Sequence, residues 1–287
     1  MASTATIIRR ILRSRGISQS GFCPYEAVLP LLPVRSQNRL PSGAQTVIFA
    51  LFPYYTGEYP HRNISRYAIP DDYHLLAGNL LGDCAKALAE RFAGHSFVPF
   101  VDSSPIREVE GAYLAGLGYQ GKNGMLIHPL FGSYVFIGEL VTTLEIPTDG
   151  KPMGPCIGCG QCLQRCPGGA LREDGMDPAR CRSAITQKKG ELSDWEARQI
   201  AEGGLAWGCD CCNDVCPMNR RALPSDMGVF YQQGTPVITK ENLAAVRKRK
   251  AFNYRSLAVM QRNLELITQQ NFSPNNVSDE GKEIEIP

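Results

Sequence analysis

The sequence reads as an α+β protein in three parts: a mixed α/β domain over residues 1–150, a cysteine module over 151–222, and a helical segment with a polar tail over 223–287. Three features support this. The first 150 residues alternate β-branched and aromatic runs with amphipathic stretches. Nine of the eleven cysteines lie between positions 156 and 216. Beyond position 222 the apolar residues return at helical spacing and then give way to Asn, Ser, Asp and Glu.

In chain order, MASTATIIRRILRSRG (1–16) is basic and lacks the apolar core of a secretory signal, so a short amphipathic helix is expected. TVIFALFPYY (46–55) has the composition of a strand. In DDYHLLAGNLLGDCAKALAERFAG (71–94), Leu76, Leu80, Cys84, Leu88 and Phe92 recur every four residues, which predicts a helix buried along that stripe. FVPFV (97–101) is the next strand, and Asp102 follows it directly. Ser104-Pro105 predicts an N-cap with proline in the first turn, opening a helix over PIREVEGAYLAGLG. GYQGKNG (118–124) is a glycine-rich loop. MLIHP (125–129) and SYVFIGELVTTLEI (133–146) predict two strands around a turn at Phe131-Gly132. IPTDGKPMGP (146–155) is a Pro/Gly linker and sets the first boundary. ENLAAVRKRKAFNYRSLAVMQRNLELI (241–267) reads as helical, and NFSPNNVSDEGKEIEIP (271–287) as a mobile tail.

Composition excludes little. Apolar content of 43% and charged content of 20% are ordinary, and 30 basic against 28 acidic residues neither demand nor exclude a nucleic-acid partner. No apolar run approaches the roughly 20 residues a bilayer span needs. A cytoplasmic protein without membrane contact is expected, and clustered cysteines there read as metal ligands.

The cysteines have an ordered spacing. Cys156-x2-Cys159-x2-Cys162-x3-Cys166-Pro167 matches the bacterial ferredoxin run, in which three thiolates hold one [4Fe–4S] cluster and the fourth crosses to a second. GCDCCNDVCP supplies most of a partner run, with Cys209, Cys212 and Cys216-Pro217. Its missing member falls at Ala206, and Cys181 is the natural substitute. Cluster one then takes Cys156, Cys159, Cys162 and Cys216; cluster two takes Cys166, Cys181, Cys209 and Cys212; Cys211 is left over. A pair of four-cysteine zinc sites is the alternative, but zinc has no need of interlocked runs that each end in Cys-Pro. Cys84, on an apolar helix face, reads as a packed core thiol.

Outside the module the motifs are weaker. There is no GxGxxG, HExxH, Gly-x-Ser-x-Gly or P-loop. Gly121-Lys122-Asn123-Gly124 reads equally as a surface turn or a ligand loop. Asp102 sits where a strand gives way to a helix, a place suited to a functional group or to a cap. Among His61, His74, His95 and His128, His74 in DDYH stands out.

Together, ISRYAIPDDYH (64–74), FVDSSPIRE (100–108), GLGYQGKNGMLIHPLFGSYVFIGEL (116–140) and the two cysteine runs resemble the epoxyqueuosine reductase family, over about residues 44–267. The module is also similar to that of the reductive dehalogenases. The resemblance implies a corrinoid-binding N-terminal domain, two [4Fe–4S] clusters, cobalamin, and reduction of epoxyqueuosine to queuosine in tRNA. It implies an external electron donor of flavodoxin or ferredoxin type. It makes Asp102 the proton donor, an acid expected to be buried so that it stays protonated. It places Arg66, Tyr73, His74, Lys122, Asn123, Ser133 and Glu139 around the corrinoid or substrate. Family members continue into a helical-repeat domain that helps grip tRNA, and RKRKAFNYRSLAVMQRNLELI resembles its start. There Arg247, Lys248, Arg249, Lys250 and Arg255 are candidates for phosphate contacts or for a solvated basic helix face. A non-catalytic two-cluster electron carrier and a dehalogenase-like corrinoid reductase are the competing functions.

Overall fold

Eight consecutive buried residues, Thr46–Pro53, form a strand (β2) covered on both faces. In the computed structural model, which describes residues 2–148, 150–232 and 234–269, β2 is central in a four-stranded antiparallel sheet. It lies between β1 (Gln19–Pro24) and β6 (Val135–Thr142), and β3 (Phe97–Val101) pairs with the far side of β6. Alternation sorts the side chains into two cores. Ile48, Ala50 and Phe52 pack under α1 (Thr4–Arg13) and α2 (Tyr73–Arg91), and Val47, Phe49 and Leu51 pack under α3 (Glu108–Leu114). The sequence had flagged no strand at β1, a short run between Ser and Pro with no two-residue period.

The predicted helices need two corrections. The buried face of α2 is Ala77, Leu81, Cys84, Ala85 and Leu88, while Leu76 and Leu80 of the expected stripe are half-buried. A strict four-residue step overshoots a full helical turn by about 40° and drifts off the face. Ser104 caps no helix: α3 begins at Glu108. The Ser104 hydroxyl instead accepts from the Ile106 N–H at 3.1 Å and donates to Glu139, which folds the segment into a tight turn. The MLIHP run contributes only β5 (Leu126–Ile127), paired with β4 (Tyr119–Gln120), and His128 bridges Gly132 across the expected turn.

The cysteine module is built from short pieces: α4 (Gln161–Gln164), the β7–β8 hairpin (Leu171–Arg172 and Gly175–Met176), α5 (Arg182–Thr186), α6 (Asp194–Gly203) and α7 (Cys211–Asp214). A capping box of Ser193 and Glu196 starts α6. The 241–267 stretch is interrupted and gives α8 (Lys240–Val246) and α9 (Leu257–Gln269) with 3₁₀ turns between. The interruption follows from Lys250, which is fully buried and donates to the carbonyls of Ile69 at 2.6 Å and Pro70 at 3.1 Å. Arg247 donates to the carbonyls of Asn253 and Arg255. The basic run is therefore not a continuous solvated helix face. It helps close a third core, where Phe252, Leu243 and Met260 pack on Ile64, Ile69 and Trp207.

The tail predicted over 271–287 lies outside the described residues. Among the described residues, no helix is long and apolar enough to cross a membrane.

Candidate active site and metal centres

The segment 64–68 joins the sheet domain to the cysteine module. Ser65 N–H donates to the Trp207 carbonyl at 2.8 Å, and Ser65 Oγ donates to Asp210 Oδ1 at 2.7 Å. Gly208, between Trp207 and Cys209, has φ +76°, and a Cβ there would fall 2.4 Å from the Ser65 Cβ. Only glycine allows this approach. Asp210, nearly inaccessible, also takes the Arg62 guanidinium at 2.6 Å.

This junction orders the thiols. Cys156, Cys159 and Cys162 line one small cavity with Cys216 of the second run. Cys181, Cys209 and Cys212 line a larger one, about 290 Å³, with Cys166 of the first run. Each quartet thus borrows its fourth thiol from the other run. Four soft sulfur donors around a cavity suit an iron–sulfur cluster. Among the described residues, no three His, Cys, Asp or Glu side chains converge on a point that would hold a single ion. Cys211 lines the second cavity as a fifth thiol, and Cys23 and Cys84 are buried in the cores.

A second functional group lies across Tyr67, which lines both the larger thiol cavity and a polar cleft of about 690 Å³. Trp207 Nε1 donates to Tyr67 Oη at 2.7 Å and fixes this shared wall. Asp72, Tyr73 and His74 at the start of α2, Asp102 and Ser103 after β3, and Asn253 and Tyr254 from the C-terminal segment line the cleft. Asp72 caps α2, accepting from the His74 N–H at 3.0 Å, and its carboxylate also meets His74 Nδ1 at 2.6 Å. His74 Nε2 reaches Asp102 Oδ2 at 3.1 Å. Burial pulls the imidazolium pKa down, but the hydrogen bonds and charges of Asp102 and Asp72 outweigh it and raise the value to about 9. Tyr73 stacks on Phe136 with ring centroids 3.9 Å apart, which sets the angle of the neighbouring imidazole.

The expected burial of Asp102 is corrected: its side chain is 57% exposed. It protrudes because it adopts φ +59° at the end of β3, which lifts it off the sheet to the mouth of the cleft. One hydrogen bond away lies His74, whose raised pKa favours the charged imidazolium. The buried acids lie beneath. Glu139 on β6 is fully buried against Ser104, and Glu108 faces the Asp102 backbone N–H. Burial pushes both carboxyls above their usual range, and for Glu108 the Glu139 charge adds to the rise.

Of the other sequence-derived candidates, Tyr73 and His74 line the cleft. Asn123 lies between the two thiol cavities and donates to Asn213 Oδ1 at 3.3 Å. Ser133 Oγ donates to Asn213 Oδ1 at 3.0 Å and accepts from Asn219 Nδ2 at 2.7 Å, so both residues clasp the second cysteine run. Lys122 borders the first thiol cavity and pairs with Glu173 at 2.6 Å. Arg66 lines neither the cleft nor a thiol cavity; it pairs with Glu58 at 2.8 Å and with Asp214 on α7. Asp72, Tyr67 and Tyr254 were not singled out from sequence. Only Asp72 left a signal, as a capping residue before a helix.

Fold and site together define a two-cluster iron–sulfur protein with an acid-bearing cleft beside one cluster site. Residues 155–219 match the family model described as "4Fe-4S double cluster binding domain", and residues 35–103 match "Epoxyqueuosine reductase QueG, DUF1730". The chain is 30% identical over 259 residues to the epoxyqueuosine reductase of Cyclobacterium marinum, covering 81% of this chain and 79% of that protein. It is 36% identical over 173 residues to that of Aliivibrio fischeri, covering 60% of this chain and 46% of that one. It therefore spans about half the length of some curated relatives and four-fifths of others. The chain belongs to the epoxyqueuosine reductase family. The fold superposes on an epoxyqueuosine reductase solved with a modified tRNA-Tyr stem loop, with a TM-score of 0.78, 23% identity, and coverage of 91% of this chain and 80% of that one. It also superposes on a reductive dehalogenase described in terms of B12-dependent dehalogenation, with a TM-score of 0.51, 16% identity, and coverage of 93% of this chain and 36% of that one.

Proposed function

We propose that this chain reduces epoxyqueuosine to queuosine in tRNA, using two [4Fe–4S] clusters and cobalamin. One observation carries the reading: Tyr67 separates the second thiol quartet from the cleft that holds Asp102, so electron supply and proton supply meet at one wall. A bare electron carrier has no use for the second half of that arrangement.

Removing the epoxide oxygen takes two electrons and two protons; both C–O bonds break, an alkene forms and the oxygen leaves as water. Negative charge develops on that oxygen, where a positioned acid is worth roughly 10²- to 10⁴-fold. His74 holds the proton, Asp102 at 3.1 Å relays it to the developing oxyanion, His74 is recharged from solvent for the second proton, and Asp72 holds the imidazole in place. When bound, cobalamin would supply strongly reducing cobalt chemistry at this cleft, and the clusters would supply electrons singly. The cleft suits an amide-rimmed macrocycle, since Ser103, Gln187 and Asn253 offer it hydroxyl and carboxamide groups.

On this reading residues 1–150 hold corrinoid and substrate, 151–222 hold the clusters, and 223–287 close the cleft through Asn253 and Tyr254. Cys156, Cys159, Cys162 and Cys216 ligate one cluster; Cys166, Cys181, Cys209 and Cys212 ligate the other. Tyr73 and His74 contact corrinoid or substrate, whereas Arg66, Asn123 and Ser133 hold the cysteine runs in place. The tRNA partner is supported by the relative solved with a stem loop, and a flavodoxin- or ferredoxin-type donor in the cytoplasm would supply the electrons.

Anaerobic reconstitution with iron, sulfide and cobalamin tests the assignment. The expected product holds about eight iron atoms per chain and retains corrinoid through gel filtration. The same iron without corrinoid would favour the electron carrier.

A further inference from the structure

Arg182 presents a problem in charge. Its side chain lines the larger thiol cavity and is only 9% exposed, yet among the described residues it forms no ion pair. Acids on the neighbouring elements are engaged elsewhere: Asp210 with Arg62 at 2.6 Å, Asp214 with Arg66, and Glu196 with Lys188 at 2.7 Å. What the guanidinium does meet is a carboxamide and a thiol sulfur, not a carboxylate. It donates to Gln199 Oε1 at 3.4 Å, one terminal nitrogen stands 4.0 Å from Cys211 Sγ, and Nε is buried without a partner. The chain makes room for it. A Cβ on Gly203 would lie 2.9 Å from Arg182 Cδ and 3.0 Å from a terminal nitrogen, so α6 carries glycine where the side chain passes.

Burying a cation without an opposing charge costs several kcal/mol. Such a group persists where a negative charge faces it. Among the described residues no side-chain carboxylate does so, but a [4Fe–4S] cluster held by four thiolates is a net anion, and reduction adds one more negative charge. We propose that Arg182 is the counter-charge of the second cluster and raises its reduction potential above that of the first. This rests on the cluster reading above. Among the described residues the first thiol cavity has no equivalent: its cation, Lys122, is exposed and already paired with Glu173 at 2.6 Å. The asymmetry makes electron flow downhill from the first cluster to the second, and the second adjoins Tyr67 and the cleft. Arg182 is thus a tuning residue that touches no substrate.

A redox titration of the reconstituted holoenzyme, followed by electron paramagnetic resonance, reads both clusters separately. Arg182→Gln removes the charge, and Gln199→Glu neutralises it in place by giving Arg182 a carboxylate of nearly unchanged shape. In both variants one cluster's midpoint is expected to move negative, so that its oxidised-to-reduced ratio at fixed potential rises at least tenfold (~59 mV for a one-electron couple). The other cluster should stay where the wild type has it, and Arg182→Lys should shift neither by as much as threefold. Should Arg182→Gln fail to assemble, Gln199→Glu decides alone. Unmoved midpoints in variants that hold full iron, or equal shifts of both clusters, would overturn the proposal. Wild-type protein that takes up no iron would overturn the cluster reading itself.

Discussion

Asp102 carries the only positive φ among described non-glycine residues, +59°. A left-handed residue costs about 1–2 kcal/mol, and aspartate is among the side chains that tolerate it. The conformation brings the carboxylate to His74, so local strain and the Asp72–His74–Asp102 chain are parts of one arrangement. That arrangement has a pH signature. The folded His74 pKa of about 9 lies above the unfolded value, about 6.5. A raised histidine pKa adds stability that is complete below the unfolded value and is lost as pH rises through the folded one. With the side chain one-third exposed, solvent screening leaves about 1 kcal/mol of this. Chemical denaturation of wild type and His74→Gln should therefore show a gap that narrows by about 1 kcal/mol between pH 6 and pH 10. A gap independent of pH would mean that His74 carries no extra proton in the folded chain.

At the scale of elements, the two cysteine runs cross. α4 and α7 are each a single turn, and neither run completes its own quartet: Cys216 stands with the first run and Cys166 with the second. Cys216→Ala should accordingly empty the first site while the second survives, and iron should fall from about eight to about four atoms per chain. Complete loss of iron, or loss of the signal that Arg182→Gln shifts, would place Cys216 elsewhere. The placement of Cys216 beside the first run and Cys166 beside the second was legible in the sequence, because a cluster demands thiolates at fixed spacings and the spacing survives any reading of secondary structure. The central strands were legible for a similar reason, since burial on both faces leaves an unbroken apolar run. The Ser104 cap misled, and the break within the helical C-terminal stretch was not foreseen. Ser104 answers to Glu139, 35 positions away, and Lys250 to the carbonyls at Ile69 and Pro70. Such long-range polar contacts leave no periodic trace. Arg182, Tyr67 and Tyr254 stayed hidden too, because their interest lies only in what the fold places beside them.

Over the whole molecule, the segment 64–74 ties the parts together. It bonds to the cysteine module at Trp207 and Asp210, receives Lys250 from the C-terminal segment, and ends at His74 in the cleft. Three regions of the chain thus meet around one wall. If that wall joins electrons to protons, the joined system should run a complete turnover that neither half can run alone. The decisive measurement is mass spectrometry of nucleosides from epoxyqueuosine-containing tRNA after incubation with reconstituted, cobalamin-loaded, reduced protein. Queuosine should appear with wild type and fall roughly 10²- to 10⁴-fold with Asp102→Asn, while iron and corrinoid contents stay unchanged. Fully loaded protein that leaves the epoxide intact, or an Asp102→Asn variant as fast as wild type, would sink the proposal.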